Sequence, residues 1–289
     1  MNQELRNTLK LLRIPFSFFL MPVFWLALSQ AENINWVNAV VCFVVLHLCI
    51  YPASNGYNSY MDQDETSIGG LEHPPKPTKQ LFYAALLLDV LGLTLAYFVG
   101  LSFLICVLAY VVASRAYSFK GIRLKKYPIL GFLTVVIFQG GFTFWMVYSA
   151  VGNSGFDISL VPILLACSFL IAGVYPLTQV YQHEADKASG DITISYMLGI
   201  KGTFVFAAMM FVVANGLFFV HFYSLEKVIY FFVIQLCLVP VTHFFFTWFK
   251  GVLKDNTEAN FKNTMRMNLI ASMCMNLCFI VLLSLKTIQ

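Results

Sequence analysis

The chain has 289 residues, 59% of them hydrophobic and 11% charged, with a formal net charge of +4. An ordinary soluble domain carries roughly 25% charged residues, so the composition excludes a soluble globular fold and any separate soluble domain; residues 1–289 read as a single transmembrane domain. So small a charge excess points to no nucleic acid partner. Apolar runs recur along the whole sequence and predict an all-α polytopic membrane protein with nine transmembrane helices, at 14–30, 34–54, 81–99, 101–119, 128–151, 158–180, 203–223, 228–248 and 267–285. Each is about long enough to cross a hydrocarbon core of roughly 30 Å. Arg6, Lys10 and Arg13 precede the first run as in a signal peptide, but no small-residue cleavage site follows, so the run reads as a retained first helix. The seven cysteines all sit inside apolar runs without a CxxC pair and read as buried small hydrophobes.

Charge sets the expected orientation. The connections on one side hold Arg6, Lys10, Arg13, Lys76, Lys79, Lys120, Arg123, Lys125, Lys126, Lys187, Lys201, Lys250, Lys254, Lys262 and Arg266. On the other side, the connections at 30–33, 100, 152–157 and 223–227 contain Lys227 as their only cation. The cation-rich side is expected in the cytoplasm, which places the N-terminus inside and the C-terminus outside.

Two acidic segments lie on that same side. The first, 55–78, follows the second span and holds Asp62, Asp64, Glu65 and Glu72, four of the chain's fourteen acidic residues. Asn58 and Asp62 are four apart and share a helix face. The second, 179–191, follows the sixth span and holds Glu184, Asp186 and Asp191. Hard divalent cations take carboxylate oxygen and often share it with a substrate phosphate, so the pair suits Mg²⁺ bridging a diphosphate; the plainer reading of such a segment is a solvated acidic loop. Between them runs a basic stretch, 114–131. There Lys125 and Lys126 read as orientation charges. Arg115, a turn inside a helix end, reads as a cavity-lining group able to meet phosphate. Asp89 and His47, inside spans, stand equally as functional groups or as hydrogen-bonded helix contacts.

At these three segments the sequence resembles the UbiA superfamily of intramembrane prenyltransferases. The stretch from Asn58 through Asp62 to Thr66 is similar to that family's Asn-Asp-x-x-Asp-x-x-x-Asp motif, with Thr66 at the last aspartate and Glu65 beside it. Lys76-Pro77 resembles the Arg-Pro that follows. The stretch from Gln182 through Glu184 and Asp186 to Gly190 is similar to the second motif, Asp-x-Glu-x-Asp-x-x-x-Gly, with Gln182 at its first acidic position. Tyr117-Ser118 and Arg123-Leu124-Lys125 resemble the family's YS…RLK segment. Nine helices also match the family fold.

The resemblance implies Mg²⁺-dependent transfer of a prenyl group from an allylic prenyl diphosphate to an acceptor, by family frequency an aromatic one on a quinone-type pathway. It implies metal ligation by Asn58, Asp62, Asp64, Glu65, Glu184, Asp186 and Asp191, with Asp62 and Asp186 catalytic. It implies diphosphate contacts from Lys76, Arg115, Lys120 and Arg123, and acceptor or prenyl contacts from Tyr57, Tyr60 and Tyr181. A UbiA-like cyclase or prenyl-diphosphate-binding protein stays open through Thr66 and Gln182. A secondary transporter is disfavoured, because the carboxylates cluster in loops rather than at the bilayer centre.

Overall fold

The computed structural model describes residues 2–152 and 155–288; Asn153 and Ser154, in the connection expected at 152–157, lie outside the described residues. Nine helical segments among the described residues are long and apolar enough to cross a membrane. They are α1 (Gln3–Gln30), α2 (Trp36–Asp62), α3 (Lys79–Val99), α4 (Leu101–Ser118), α5 (Pro128–Gly152), α6 (Ile158–Leu177), α7 (Ile194–Ser224), α8 (Val228–Lys254) and α9 (Phe261–Lys286). No strand forms among them beyond an isolated bridge between Ile68 and Leu71.

The expected spans and the observed helices differ most at the ends that carry polar residues. Hydropathy ends the second span near 54, whereas α2 runs to Asp62 and so makes Asn58 and Asp62 helical. It likewise starts the seventh at 203, whereas α7 begins at Ile194 and bends at Gly199, whose φ of 68° falls in the left-handed region that glycine tolerates. α1 breaks in the middle. An amphipathic helix ends at Leu12, Arg13 turns left-handed (φ 47°), and tight 3₁₀ turns at Ile14–Leu20 lead into Met21–Gln30.

Short connections make sequence neighbours pack side by side, and α9 returns to α1, so the helices close on themselves. Asn276 of α9 donates to the Phe18 carbonyl of α1 at 3.3 Å across that closure. α5 breaks at Gly140, where a Cβ would lie 2.5 Å from Ser168 Cα of α6; only glycine permits this approach. Ser168 Oγ accepts from the Gly141 N–H at 3.0 Å in return. Phe24, Phe144, Phe218, Phe222 and Phe279 fill the main core, while Phe98, Val212 and Leu236 point outward, as side chains facing lipid do.

Candidate active site

The end of α2 supplies the first wall. After a π-helical turn at Val44–Ile50, the helix Tyr51–Asp62 presents Asn55, Asn58 and Asp62 at i, i+3 and i+7, on one face. All three line a cavity of about 690 Å³ inside the bundle. Asn58 donates to Ser118 Oγ of α4 at 2.9 Å, which fixes its amide. Gln63 then turns left-handed and ends the helix, and Asp64 follows it into the cavity.

The second acidic segment supplies the opposite wall. A short helix, His183–Ser189, ends at left-handed Gly190; Asp186 and Asp191, before and after that turn, both line the cavity. Gln182 donates to the Ser67 carbonyl at 3.0 Å and so ties the two acidic segments together. Thus the residue at the second motif's first acidic position serves as a strut as well as a lining group.

The third loop crosses between them. Arg123, itself left-handed, grips Asp191 through Nε to Oδ1 at 2.8 Å and Nη2 to Oδ2 at 2.9 Å. Lys125 Nζ sits 2.7 Å from Asp62 Oδ2 and 3.1 Å from Asp191 Oδ2. Lys125 is therefore no mere orientation charge: it bridges residues 63 before and 66 after it, while Lys126 alone is left exposed. Against the effect of burial, these carboxylates hold the Lys125 ammonium above its usual range. Burial alone would raise the Asp191 carboxyl, but Arg123 and Lys125 hold it below its ordinary value. Burial raises Asp64, with Asp62 adding to the effect, and pushes Asp186 up to about 7. The site thus holds more buried negative charge than its own cations offset.

Several expected members lie elsewhere. Glu65 and Lys76 form an exposed pair at 3.8 Å, with side chains 80% and 90% accessible, too hydrated to build a dry site. Glu184 and Lys120 are exposed and do not line the cavity. Arg115 turns away to pair with Asp89 of α3, because a carboxylate inside the bundle draws in the nearest cation. That pair also accounts for Asp89 as a helix contact. The Arg115 guanidinium lies 4.0 Å from the Tyr57 ring centre, which puts Tyr57 under the ion pair rather than on the cavity. Tyr60 faces Phe82. Helical geometry separates both tyrosines from Asn58 and Asp62: a neighbour in sequence is turned by about 100°. Of the three tyrosines, Tyr181 lines the cavity, and its hydroxyl is buried without a partner.

Residues not singled out beforehand complete the walls. Arg13, 9% exposed, lines the cavity and donates to the carbonyls of Gly69 at 2.9 Å and Asn55 at 3.3 Å. Its signal was its place at the end of a basic run, which the positive-inside rule had absorbed. Below the carboxylates lie hydroxyl pairs, Tyr117 with Tyr175 at 2.5 Å and Ser54 with Ser114 at 2.6 Å. Beyond them the walls turn apolar, with Phe16 and Phe19 from α1, Phe211 from α7 and Phe245 from α8.

Among the described residues, no three His, Cys, Asp or Glu side chains converge into a ready metal cage. Asp62 Oδ1 and Asp186 Oδ2 are nevertheless buried without hydrogen-bond partners, and both residues line the cavity. Asp62 Oδ1 has Arg123 Nη1 near it, at 3.6 Å; carboxylate oxygens left without hydrogen bonds suit Mg²⁺, which takes one or two carboxylates and completes its shell with water and phosphate. The residues present therefore fit a divalent cation shared with a phosphate ligand.

Among the described residues, nine membrane-length helices close around a cavity with a charged end and a mostly apolar, aromatic body, the architecture of an intramembrane protein. The chain belongs to the UbiA prenyltransferase family, whose model matches residues 19–270. Its fold is similar to that of a UbiA homolog from Archaeoglobus fulgidus bound to GPP and Mg²⁺, with 18% identity and a TM-score of 0.72 over 96% of this chain and 99% of that one. An apo UbiA homolog from Aeropyrum pernix K1 is 16% identical, with a TM-score of 0.71 over 93% and 98% of the two chains. A structure of a digeranylgeranylglyceryl phosphate synthase is 22% identical, with a TM-score of 0.63 over 97% and 98%. No curated protein sequence matches the chain.

Proposed function

We propose that this protein is a Mg²⁺-dependent prenyltransferase that joins the prenyl group of an allylic prenyl diphosphate to an aromatic acceptor of the kind used in quinone-type pathways. The observation that carries this reading is the pair of buried carboxylate oxygens without hydrogen-bond partners, Asp62 Oδ1 and Asp186 Oδ2, on residues that line one cavity whose far walls are mostly apolar. Asp62 and Asp186 would hold the ion, with Asn58 and Asp64 beside them. When bound, Mg²⁺ neutralises diphosphate charge as a Lewis acid. The UbiA homolog solved with GPP and Mg²⁺ supports this assignment.

The chain's own residues do the rest. Arg13 and Lys125, which line the cavity, and Arg123 behind Asp191 stabilise the negative charge that develops as the carbon–oxygen bond breaks and its electron pair goes to the diphosphate. The cavity's aromatic walls exclude water from the allylic carbon and present ring faces to its positive charge. A ring carbon of the acceptor then bonds to that carbon and gives up its proton to the released diphosphate. We read the whole chain as one such domain in the cytoplasmic membrane, with the acidic segments and the N-terminus facing the cytoplasm; the cation-rich loops support this orientation.

The test is pyrophosphate release by purified protein, using allylic diphosphates of several lengths, aromatic acceptors, and both wild type and Asp62→Ala. Release that needs Mg²⁺, Asp62 and one acceptor is expected. Release without acceptor would replace the transferase with a cyclase or lyase.

A further inference from the structure

A second groove, of about 620 Å³, shares Arg13, Phe16 and Phe19 with the main cavity but opens along the first helix of α1. Its walls combine two chemistries. Arg6, Lys10 and Arg13 bring three cations, and Leu9, Pro15, Phe16, Phe19 and Leu71 bring apolar surface. Among the described residues, no acidic side chain lines it. Among the described residues, none of the three cations has a carboxylate within ion-pair distance. Glu4, the acidic residue of that helix, accepts instead from Gln80 Nε2 at 2.7 Å. Arg13 is more than nine-tenths buried, and its Nε has no hydrogen-bond partner although both terminal nitrogens do.

The helix Gln3–Leu12 sets this groove at an interface. Leu11 and Leu12 are buried in the bundle, while Leu5 and Leu9, four apart, leave an apolar strip exposed beside the strip of Arg6 and Lys10. A helix with exposed leucines beside exposed cations lies at the boundary of headgroups and acyl chains. The contrast with the main cavity identifies the ligand class. There the anion meets a surplus of carboxylates and needs a divalent cation; here it meets cations alone and needs none.

We propose that this groove binds the headgroup phosphate of an anionic membrane phospholipid, with the acyl chain against Leu9 and Phe16 and the phosphate facing Arg6, Lys10 and Arg13. Because Arg13 also lines the catalytic cavity, the lipid sits on that cavity's outer wall.

The test uses full-length protein in an uncharged detergent. Its unfolding midpoint is read with a thiol-reactive dye, which reports the free cysteines as they become exposed. Short-chain phosphatidylglycerol is titrated against phosphatidylcholine of equal chain length and against inorganic phosphate. Wild type should show a saturable rise of several degrees with phosphatidylglycerol only. Each cation near an anionic lipid is worth roughly a factor of five in affinity, so Arg6→Gln/Lys10→Gln should weaken the titration by about 30-fold. Its midpoint in phosphatidylcholine should stay unchanged. Leu9→Glu, which places a carboxylate in the groove, should weaken the titration as well and decides the matter if the double variant does not fold. Equal rises with phosphatidylcholine, or an undiminished titration in the variants, would overturn the proposal. So would a matching rise with inorganic phosphate, which would make the groove a free-anion site.

Discussion

Lys125→Met separates the two physical readings of the basic loop. If Lys125 acted only through the positive-inside rule, it would be interchangeable with its neighbour Lys126, since each removes one positive charge from the same loop. The structure makes them different. Lys125 Nζ lies 2.7 Å from Asp62 and 3.1 Å from Asp191, and its side chain is 14% accessible, whereas Lys126 is exposed. At an effective dielectric constant of about 20, these two contacts are worth roughly 6 and 5 kcal/mol gross. Desolvation of the ammonium offsets much of that, and breaking a buried pair typically costs about 3–5 kcal/mol. Asp191 keeps both of its Arg123 bonds, so the low end, about 3 kcal/mol, is expected. Loss of a donor aimed at a developing oxyanion costs about 10²–10³ in kcat. Unfolding midpoints and pyrophosphate-release kinetics should be measured for Lys125→Met and Lys126→Met side by side, at saturating Mg²⁺. Lys125→Met should be destabilised and at least 100-fold slower, with Lys126→Met near wild type. Two variants within threefold of each other in rate, and equal in midpoint, would refute the reasoning.

Arg115→Met leaves Asp89 buried without its partner and should cost about 3–5 kcal/mol of stability. The double change with Asp89→Asn should recover most of this, and a double-mutant cycle on unfolding midpoints reads the coupling. Gly140→Val places side-chain atoms into the Ser168 backbone, where a Cβ alone would approach to 2.5 Å; overpacking of this kind costs about 1–3 kcal/mol, visible as a lower midpoint in detergent. Asp186 carries a proton below about pH 7 because burial raises its carboxyl. If Asp186 holds the ion as proposed, acidification removes that oxygen and apparent Mg²⁺ affinity should fall below that pH by up to about tenfold per unit. Burial raises Asp64 as well, while Arg123 and Lys125 hold Asp191 low, so that Asp191 does not titrate there. A flat profile between pH 8 and 6 would count against Asp186 as a ligand. Glu65→Gln, on an exposed side chain, should change the rate less than twofold.

The number of spans and their rough positions were legible because lipid demands about twenty apolar residues per crossing whatever packs beside them. The cavity was legible only in part. Asn58 and Asp62 declared themselves by spacing, and Asp186 and Asp191 by their clustering in the second acidic segment. Charges on both sides of the ion-pair network were harder to read. Asp89 and Arg115 lie in different spans, and nothing local says that they satisfy each other. Once paired, they take Arg115 and Tyr57 away from the site. Arg13 and Lys125 were hidden for the opposite reason: each sits in a run of cations that topology alone would explain. Helix ends were misjudged where hydropathy falls before the helix does, because a polar residue that faces a protein cavity costs nothing in lipid contact. That is why α2 reaches Asp62 and α7 starts at Ile194.

The same cations that would meet a diphosphate hold the site together without one. Arg123 joins loops 68 residues apart through Asp191, and Lys125 joins both acidic segments. Gln182 adds a neutral strut across 115 residues. Asp186 Oδ2 has no hydrogen-bond partner, and burial pushes its carboxyl up to about 7. The two halves of the second acidic segment therefore have different work. Asp191 is committed to structure through its cations, whereas Asp186 keeps a buried carboxylate oxygen without a hydrogen-bond partner, whose charge burial disfavours. On the proposed function, a divalent ion bound there would gain from relieving that cost. Measured stability should then rise with Mg²⁺ and a non-hydrolysable prenyl diphosphate together by more than the sum of each alone. Asp186→Asn, which removes the burial cost without supplying a charge, should be no less stable than wild type when empty, yet lose that joint gain. If it keeps the gain, the ion is held elsewhere in the cavity.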